Sequence, residues 1–255
     1  MKKQNEPLIV VKDLTLGYGD VPIVRDANFA INRGDIFVIM GLSGSGKSTI
    51  MRSMVGLLPP VHGAVFIDGV DMWAVDADAR AKIVGGFGVS FQSGALFSSM
   101  TIFENVALPM ELKSDLSATK IHQRVCEKLK VVGLCGCENL YPSEVSGGMI
   151  KRAALARALV NEPDVLFFDE PSAGLDPVRS SELDELILDI NHKNGTTIIM
   201  VTHELSTIMS IATNAIYVDA STKRVVPIGE PRNAIKTTKN PRIIEFLGAG
   251  KGGKK

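Results

Sequence analysis

Gly41-Leu42-Ser43-Gly44-Ser45-Gly46-Lys47-Ser48-Thr49 is the stretch that decides the fold. It fills the pattern G-x-x-x-x-G-K-[ST] at every fixed position. Asp35 to Met40, just before it, is a compact apolar run of strand length. A helical pattern follows from Lys47 to Leu57. A buried strand, a glycine loop and a helix N-terminus in that order make a phosphate cradle. Glycines let the backbone curl around an anion, and the exposed N–H groups and the helix end supply partial positive charge. Lys47 adds a full charge for the β- and γ-phosphates, Ser48 a hydroxyl for Mg²⁺, and Thr49 a bond to a phosphate oxygen. A chance match in a glycine-rich chain is the competing reading, and the strand before and helix after weigh against it.

Outward from the loop, residues 8–31 read as short strands, with turn chemistry at Gly17-Tyr18-Gly19-Asp20. Ala64 to Asp68 and Gly86 to Phe91 are further strands. From about Thr101 to Val160 the pattern turns helical: Ile102 to Met110, Ala118 to Val132 and Gly147 to Val160. Alternation then resumes: strand Val165 to Asp169, helix Pro177 to Asn191, strand Thr196 to Thr202, helix Glu204 to Ala212, strand Ala215 to Asp219. This order predicts a parallel sheet with helices on its faces and a helical insertion. The tail GAGKGGKK has nothing to pack and is expected to be disordered.

Val165-Leu166-Phe167-Phe168 ends in Asp169-Glu170. Such a strand delivers two carboxylates to the sheet's C-terminal edge, where open α/β sheets bind ligands. Asp169 suits Mg²⁺, directly or through water. Glu170 is then free to orient or deprotonate an attacking water, a role worth roughly 10²- to 10⁴-fold in rate. Surface strands often end in acids, so the pattern gains its meaning from the phosphate loop. Val145-Ser146-Gly147-Gly148-Met149 opens an alanine-rich helix and has the makings of a second anion site.

Composition narrows the classes. With 28 basic and 28 acidic residues in 255, the formal net charge is zero, which argues against a general nucleic-acid binder. Three cysteines do not suggest a disulfide framework and fit a reducing compartment. Cys135 and Cys137 have no second Cys or His pair at ligand spacing, so no metal site is expected there. No stretch reaches the ~18 to 20 apolar residues of a membrane span, and the N-terminal segment has no signal-peptide core. Any membrane role is expected to come through a partner.

With the phosphate loop, Asp169-Glu170 and Ser146-Gly147-Gly148 in this order, the sequence resembles the ATP-binding-cassette (ABC) transporter ATPases over about residues 8–230. The resemblance implies ATP and Mg²⁺ as ligands. It implies a P-loop NTPase fold of the α/β class, with a RecA-like core, an N-terminal antiparallel β subdomain and an inserted α-helical subdomain. The expected division is one domain at 1–248, with its core at about 6–95 and 161–230, helices at about 96–160, a C-terminal helical segment at 231–248, and the tail at 249–255. It further implies that Tyr18 stacks on adenine and that Gln92 senses Mg²⁺ and links to a transmembrane partner. Asp176, in Ser172-Ala173-Gly174-Leu175-Asp176, communicates across a dimer, and His203 contacts the γ-phosphate. The family works as a head-to-tail homodimer, in which Ser146, Gly147 and Gly148 of one copy close over ATP held by the other.

The signature ends in Met149 where most of the family has Gln. The run Ser146 to Ala158, the run Phe91-Gln92-Ser93-Gly94-Ala95-Leu96-Phe97, the run Thr101-Ile102-Phe103-Glu104-Asn105-Val106 and the run from Glu170 to Pro177 resemble the Mla-type, MCE-linked phospholipid transport ATPases. That implies an MlaE-like permease, an MCE lipid-binding protein and a place for a small STAS-domain regulator. It also implies a peripheral location on the cytoplasmic face of the inner membrane, serving lipid traffic to the outer one in a Gram-negative type envelope. The run Ile39 to Lys47 also resembles the ATPases of glycine-betaine importers, so an importer of a small solute stays open. So, more remotely, does a non-transport ABC ATPase.

Overall fold

Two sheets share one apolar layer, and the period-2 geometry of strands explains how. In the computed structural model, residues 7–19, 21–112 and 116–248 are described. The expectation for the tail at 249–255 lies outside them, as does Asp20. Strands β1 (Pro7–Tyr18) and β2 (Val21–Asn32) form an antiparallel hairpin, pairing Val11 with Phe29 and Ile9 with Ile31. Further strands are β3 (Ile36–Met40), β4 (His62–Ile67) and the short β5 (Val70–Asp71). The first sheet has the order β2-β1-β4-β5 and is antiparallel throughout.

The second sheet adds β6 (Phe87–Ser90), β7 (Val165–Asp169), β8 (Thr197–Val201), β9 (Asn214–Asp219) and β10 (Arg224–Gly229). Its order is β10-β9-β3-β8-β7-β6, parallel except for β10. Every residue of β3, β7 and β8 is buried, as expected of parallel strands covered on both faces. Phe37, Ile39, Phe167, Ile199 and Val201 face the antiparallel sheet and helix α1 (Lys47–Met54), whose Ile50, Met51 and Met54 pack there. Val38, Met40, Leu166, Phe168 and Met200 point the other way, into the core shared with the remaining buried helices.

Those helices build the second layer. Helix α2 (Ala77–Gly85) is a surface exception with no buried residue. Helix α3 (Ile102–Glu111) starts with a capping box: Glu104 N–H donates to Thr101 Oγ1, and Thr101 N–H donates back to the Glu104 carboxylate at 2.7 Å. Helix α4 (Ala118–Val131) buries Ile121, Val125 and Leu129, one residue per turn on a single face. Each such side chain contributes about 1.5–3 kcal/mol. Helices α5 (Gly147–Leu159), α6 (Pro177–Asn194), α7 (Leu205–Ile211), α8 (Pro231–Thr237) and α9 (Pro241–Gly248) complete the chain. A 3-10 turn, Pro142–Glu144, leads into α5. Buried residues of α3, α4 and α5 lie in one cluster with those on one face of β3, β7 and β8, so the helical insertion and the sheet share a core.

Several bounds differ from the sequence reading. Residues 8–31 form two long strands rather than several short ones. Helix α1 stops at Met54 instead of Leu57, while α6 runs to Asn194 and ends at Gly195, whose φ of 66° closes the helix. Among the described residues no helix is long and apolar enough to cross a membrane.

Candidate functional site

The site lies where β3, β8 and β7 leave the sheet side by side. Ile39 pairs with Val201, and Val201 pairs on its other side with Asp169. The glycine loop after β3, His203 after β8 and Asp169-Glu170 at the end of β7 are thereby brought to one edge. Gly46 caps α1 with φ 103°, and a Cβ there would lie 2.7 Å from Ile23 Cγ2 and 2.9 Å from Val24 Cγ2. No side chain fits, because β2 packs directly beneath the loop. Ser45 is buried, and its hydroxyl has no hydrogen-bond partner among the described residues.

Lys47 is only 6% exposed. Its ammonium donates to the carbonyls of Gly41 and Leu42, both at 3.0 Å, so it lies across the mouth of the loop. Burial pushes its pKa below the usual lysine range, while the charges of Glu170 and Asp169 pull it back up. Ser48 Oγ donates to Asp169 Oδ1 at 2.9 Å, joining the two expected Mg²⁺ ligands across 121 residues of chain. Thr49 is buried beside them, and Gly41 is buried while Ser43 and Gly44 are exposed.

Glu170 is buried and sits at φ 50°, a left-handed conformation that is strained for a non-glycine residue. Its N–H donates to Val201 O at 2.8 Å. One carboxylate oxygen, Oε1, lies 2.8 Å from His203 Nδ1; the other, Oε2, is buried with no hydrogen-bond partner among the described residues. With the carboxylate ionised, His203 carries its proton on Nδ1. A charged, buried oxygen without a donor is costly, and such a cost persists where function uses the atom.

The remaining expected residues are more dispersed. Tyr18 is half exposed at the end of β1, and its hydroxyl accepts from Arg52 of α1 at 3.3 Å. Gln92 is exposed in the turn after β6. Ser146 caps α5, accepting from Met149 N–H at 3.3 Å, and with Gly147 it lies on the surface, while Gly148 is half-buried. This corner shares a 260 Å³ cavity with Leu175 and Arg179, and no residue of the glycine loop lines it. Asp176 caps α6, accepting from Val178 N–H at 3.1 Å and Arg179 N–H at 3.0 Å. Hydrogen bonding from Arg179, then its charge and the Val178 bond, hold the Asp176 carboxyl below the usual range against some desolvation. One chain thus gathers the glycine loop, Asp169, Glu170 and His203, and leaves the Ser146 corner elsewhere.

Two residues missed in the sequence lie between these groups. Lys151 of α5 donates to the Ala173 carbonyl, in the loop after Glu170. Arg157, two turns on, donates to the carbonyls of Gly94 and Ala95 at 2.7 Å each, just past Gln92. Cations on an otherwise alanine-rich helix were the available signal.

Against known proteins, the family described as "ABC transporter" matches residues 24–173. A further match, to "AAA domain, putative AbiEii toxin, Type IV TA system", covers residues 138–210. The intermembrane phospholipid transport system ATP-binding protein MlaF of Escherichia coli K12 is 38% identical over 97% of this chain and 91% of its own length. This chain belongs to the ABC transporter family. It is an ATP-binding subunit that hydrolyses ATP to energise transport. A second relative, the probable ribonucleotide transport ATP-binding protein mkl of Mycobacterium leprae, is 41% identical over 94% of this chain and 68% of its own. The cassette therefore spans about two thirds of that relative's length. The dimeric structure of MJ0796, a bacterial ABC transporter cassette, superposes with a TM-score of 0.79 at 32% identity, covering 85% of this chain and 96% of that one. CbiO1 of Clostridium perfringens gives 0.82 at 28% identity, covering 96% of each chain. These folds agree with the expected ABC architecture of an antiparallel N-terminal sheet beside a parallel core sheet.

Proposed function

We propose that this ABC ATPase drives phospholipid transport between the inner and outer membranes, working as a homodimer beneath an MlaE-like permease with an MCE lipid-binding protein. A STAS-domain regulator belongs to the same proposal, as does a position on the cytoplasmic face of the inner membrane. The observation that carries the cargo is the match to MlaF along nearly all of both chains. The relative named for ribonucleotide transport makes nucleotides the competing cargo.

The chemistry proposed for this chain follows from its own groups. Lys47 exchanges the Gly41 and Leu42 carbonyls for phosphate oxygens, which are stronger partners for an ammonium. Gly44, Gly46 and Thr49 line the cradle with it, and the unpartnered Ser45 hydroxyl fits a group that supplies a polar atom. Ser48 and Asp169 have the hard oxygen donors that suit Mg²⁺, with Gln92 as a further ligand. When bound, the ion neutralises charge on the β- and γ-phosphates. Glu170 orients the attacking water and takes its proton on the unpaired Oε2, while His203 fixes Oε1 and reaches the γ-phosphate. Tyr18 stacks on the adenine. Ser146, Gly147, Gly148 and Asp176 act on the nucleotide of the second copy, which explains why they sit apart from the loop in one chain.

The test of cargo and partners is to extract the complex from membranes in mild detergent by a tag on this chain and identify what co-purifies. An MCE protein, a permease and bound phospholipid support the proposal. A solute-binding protein, or a permease without an MCE protein or lipid, would overturn it.

A further inference from the structure

Of the three cations on helix α5, Lys151 and Arg157 reach in different directions. At its start Ser146 caps the helix, exposed to whatever lies opposite. Lys151, half-buried, crosses to the carbonyl of Ala173, and Arg157 ties the far end to Gly94 and Ala95. Gly94 and Ala95 both lie at positive φ, 76° and 48°, in the turn that Arg157 holds.

Ala173 belongs to a short, tightly connected turn. Its N–H donates back to the Glu170 carbonyl at 3.3 Å, Leu175 N–H donates to the Ser172 carbonyl at 3.0 Å, and Ser172 is fully buried. Glu170 itself is strained at φ 50° and is held on its other side by Val201. A strained residue keeps its conformation only if its surroundings over-determine it. On the α5 side, the Lys151 bond to Ala173 is the charged tether of this turn. The charges of Glu204 and Glu170 both act on the Lys151 ammonium and oppose the lowering of its pKa by burial. Lys151 makes no hydrogen bond to the Glu170 carboxylate itself and so acts through the backbone.

We infer that Lys151 is a positioning residue for hydrolysis: by holding the Ala173 carbonyl to the signature helix, it fixes the backbone of Glu170 and couples its placement to the seating of Ser146. Lys151 follows Ser146 by five residues on one helix, so a displacement of the helix start moves the turn that carries Glu170. A group reaching Ser146 from a second copy is then felt at the carboxylate of this one. The inference rests on the proposed role of Glu170 in activating water.

The test compares K151M, K151R and E170Q with the parent in the assembled transporter, measuring kcat and KM for ATP, and nucleotide affinity of the isolated subunit. K151M is expected to lower kcat roughly 10- to 100-fold, the scale of a small misplacement of a catalytic group. KM and subunit affinity should stay within about twofold, because the glycine loop is untouched. K151R, which keeps a charged donor, should recover most of the rate. K151Q gives the neutral variant if K151M does not fold, with the same split expected. A parental kcat in the neutral variant, a loss dominated by nucleotide affinity, or K151R as poor as K151M would each overturn the inference. E170Q separates the two ideas: a parental rate there removes Glu170 from its role, whereas a dead E170Q beside a fully active K151M removes Lys151 alone.

Discussion

Lys47 spends its charge on two carbonyls of its own loop, and this is a weaker arrangement than the one a phosphate offers. Lys47→Ala removes a charge-assisted partner worth about 1.5–3 kcal/mol. Nucleotide affinity should therefore fall roughly ten- to hundredfold by titration with a fluorescent ATP analogue. Unchanged affinity would separate Lys47 from the phosphates. Asp184 offers a pH test. It is buried on α6, with Ser210 Oγ donating to it at 3.2 Å. Burial raises its pKa, with Glu204 adding to the rise and hydroxyl hydrogen bonds opposing it. A carboxyl raised by folding binds its proton more readily in the native state than in the unfolded chain. Its charged form therefore costs stability above the raised value, and the cost vanishes below the ordinary carboxylate range. Asp184→Asn should stabilise the fold at neutral pH, with the gain shrinking as pH falls toward about 4, in urea melts across that range. A gain independent of pH would contradict this. At this scale the short motifs were readable because Ser48, Asp169 and Glu170 are specified by residue type. Lys151 and Arg157 were not, since their partners are backbone carbonyls, which leave no mark on the sequence 22 and 62 residues away.

Among elements, the approach of β6 to α5 places the signature helix. Gly88 makes it possible: a Cβ there would lie 2.3 Å from the Ala158 carbonyl oxygen. Gly88→Ala must push the helix away, at a cost of about 1–3 kcal/mol from overpacking. A lowered denaturation midpoint with an unchanged slope would show it, and an unchanged midpoint would mean that α5 yields freely. The strands β3, β7 and β8 could be read as continuous apolar runs because both their faces are covered. Helix α2 could not be found by periodicity, because it buries no residue and has no apolar stripe to reveal. Asp76, accepting from Ala79 N–H at 2.7 Å, was its one readable mark. Strand β10 carries Pro227 at the sheet's edge, which weakens a strand signal.

For the whole molecule, order along the chain conveyed the α/β architecture and the helical insertion, but not that the insertion and the sheet share one core. What sequence and fold leave to assembly is the position of the Ser146 corner, which lies with Leu175 and Arg179 and not with the glycine loop. On the proposed function, two copies complete each nucleotide site. The most direct measurement is analytical ultracentrifugation of the Glu170→Gln chain, alone and combined with Ser146→Arg, with Mg²⁺ and either ATP or ADP. Glu170→Gln should be a dimer with ATP, a monomer with ADP, and a monomer that still binds ATP once Ser146→Arg is added. A Glu170→Gln chain that stays monomeric while saturated with ATP, or a dimer indifferent to Ser146→Arg, would contradict it.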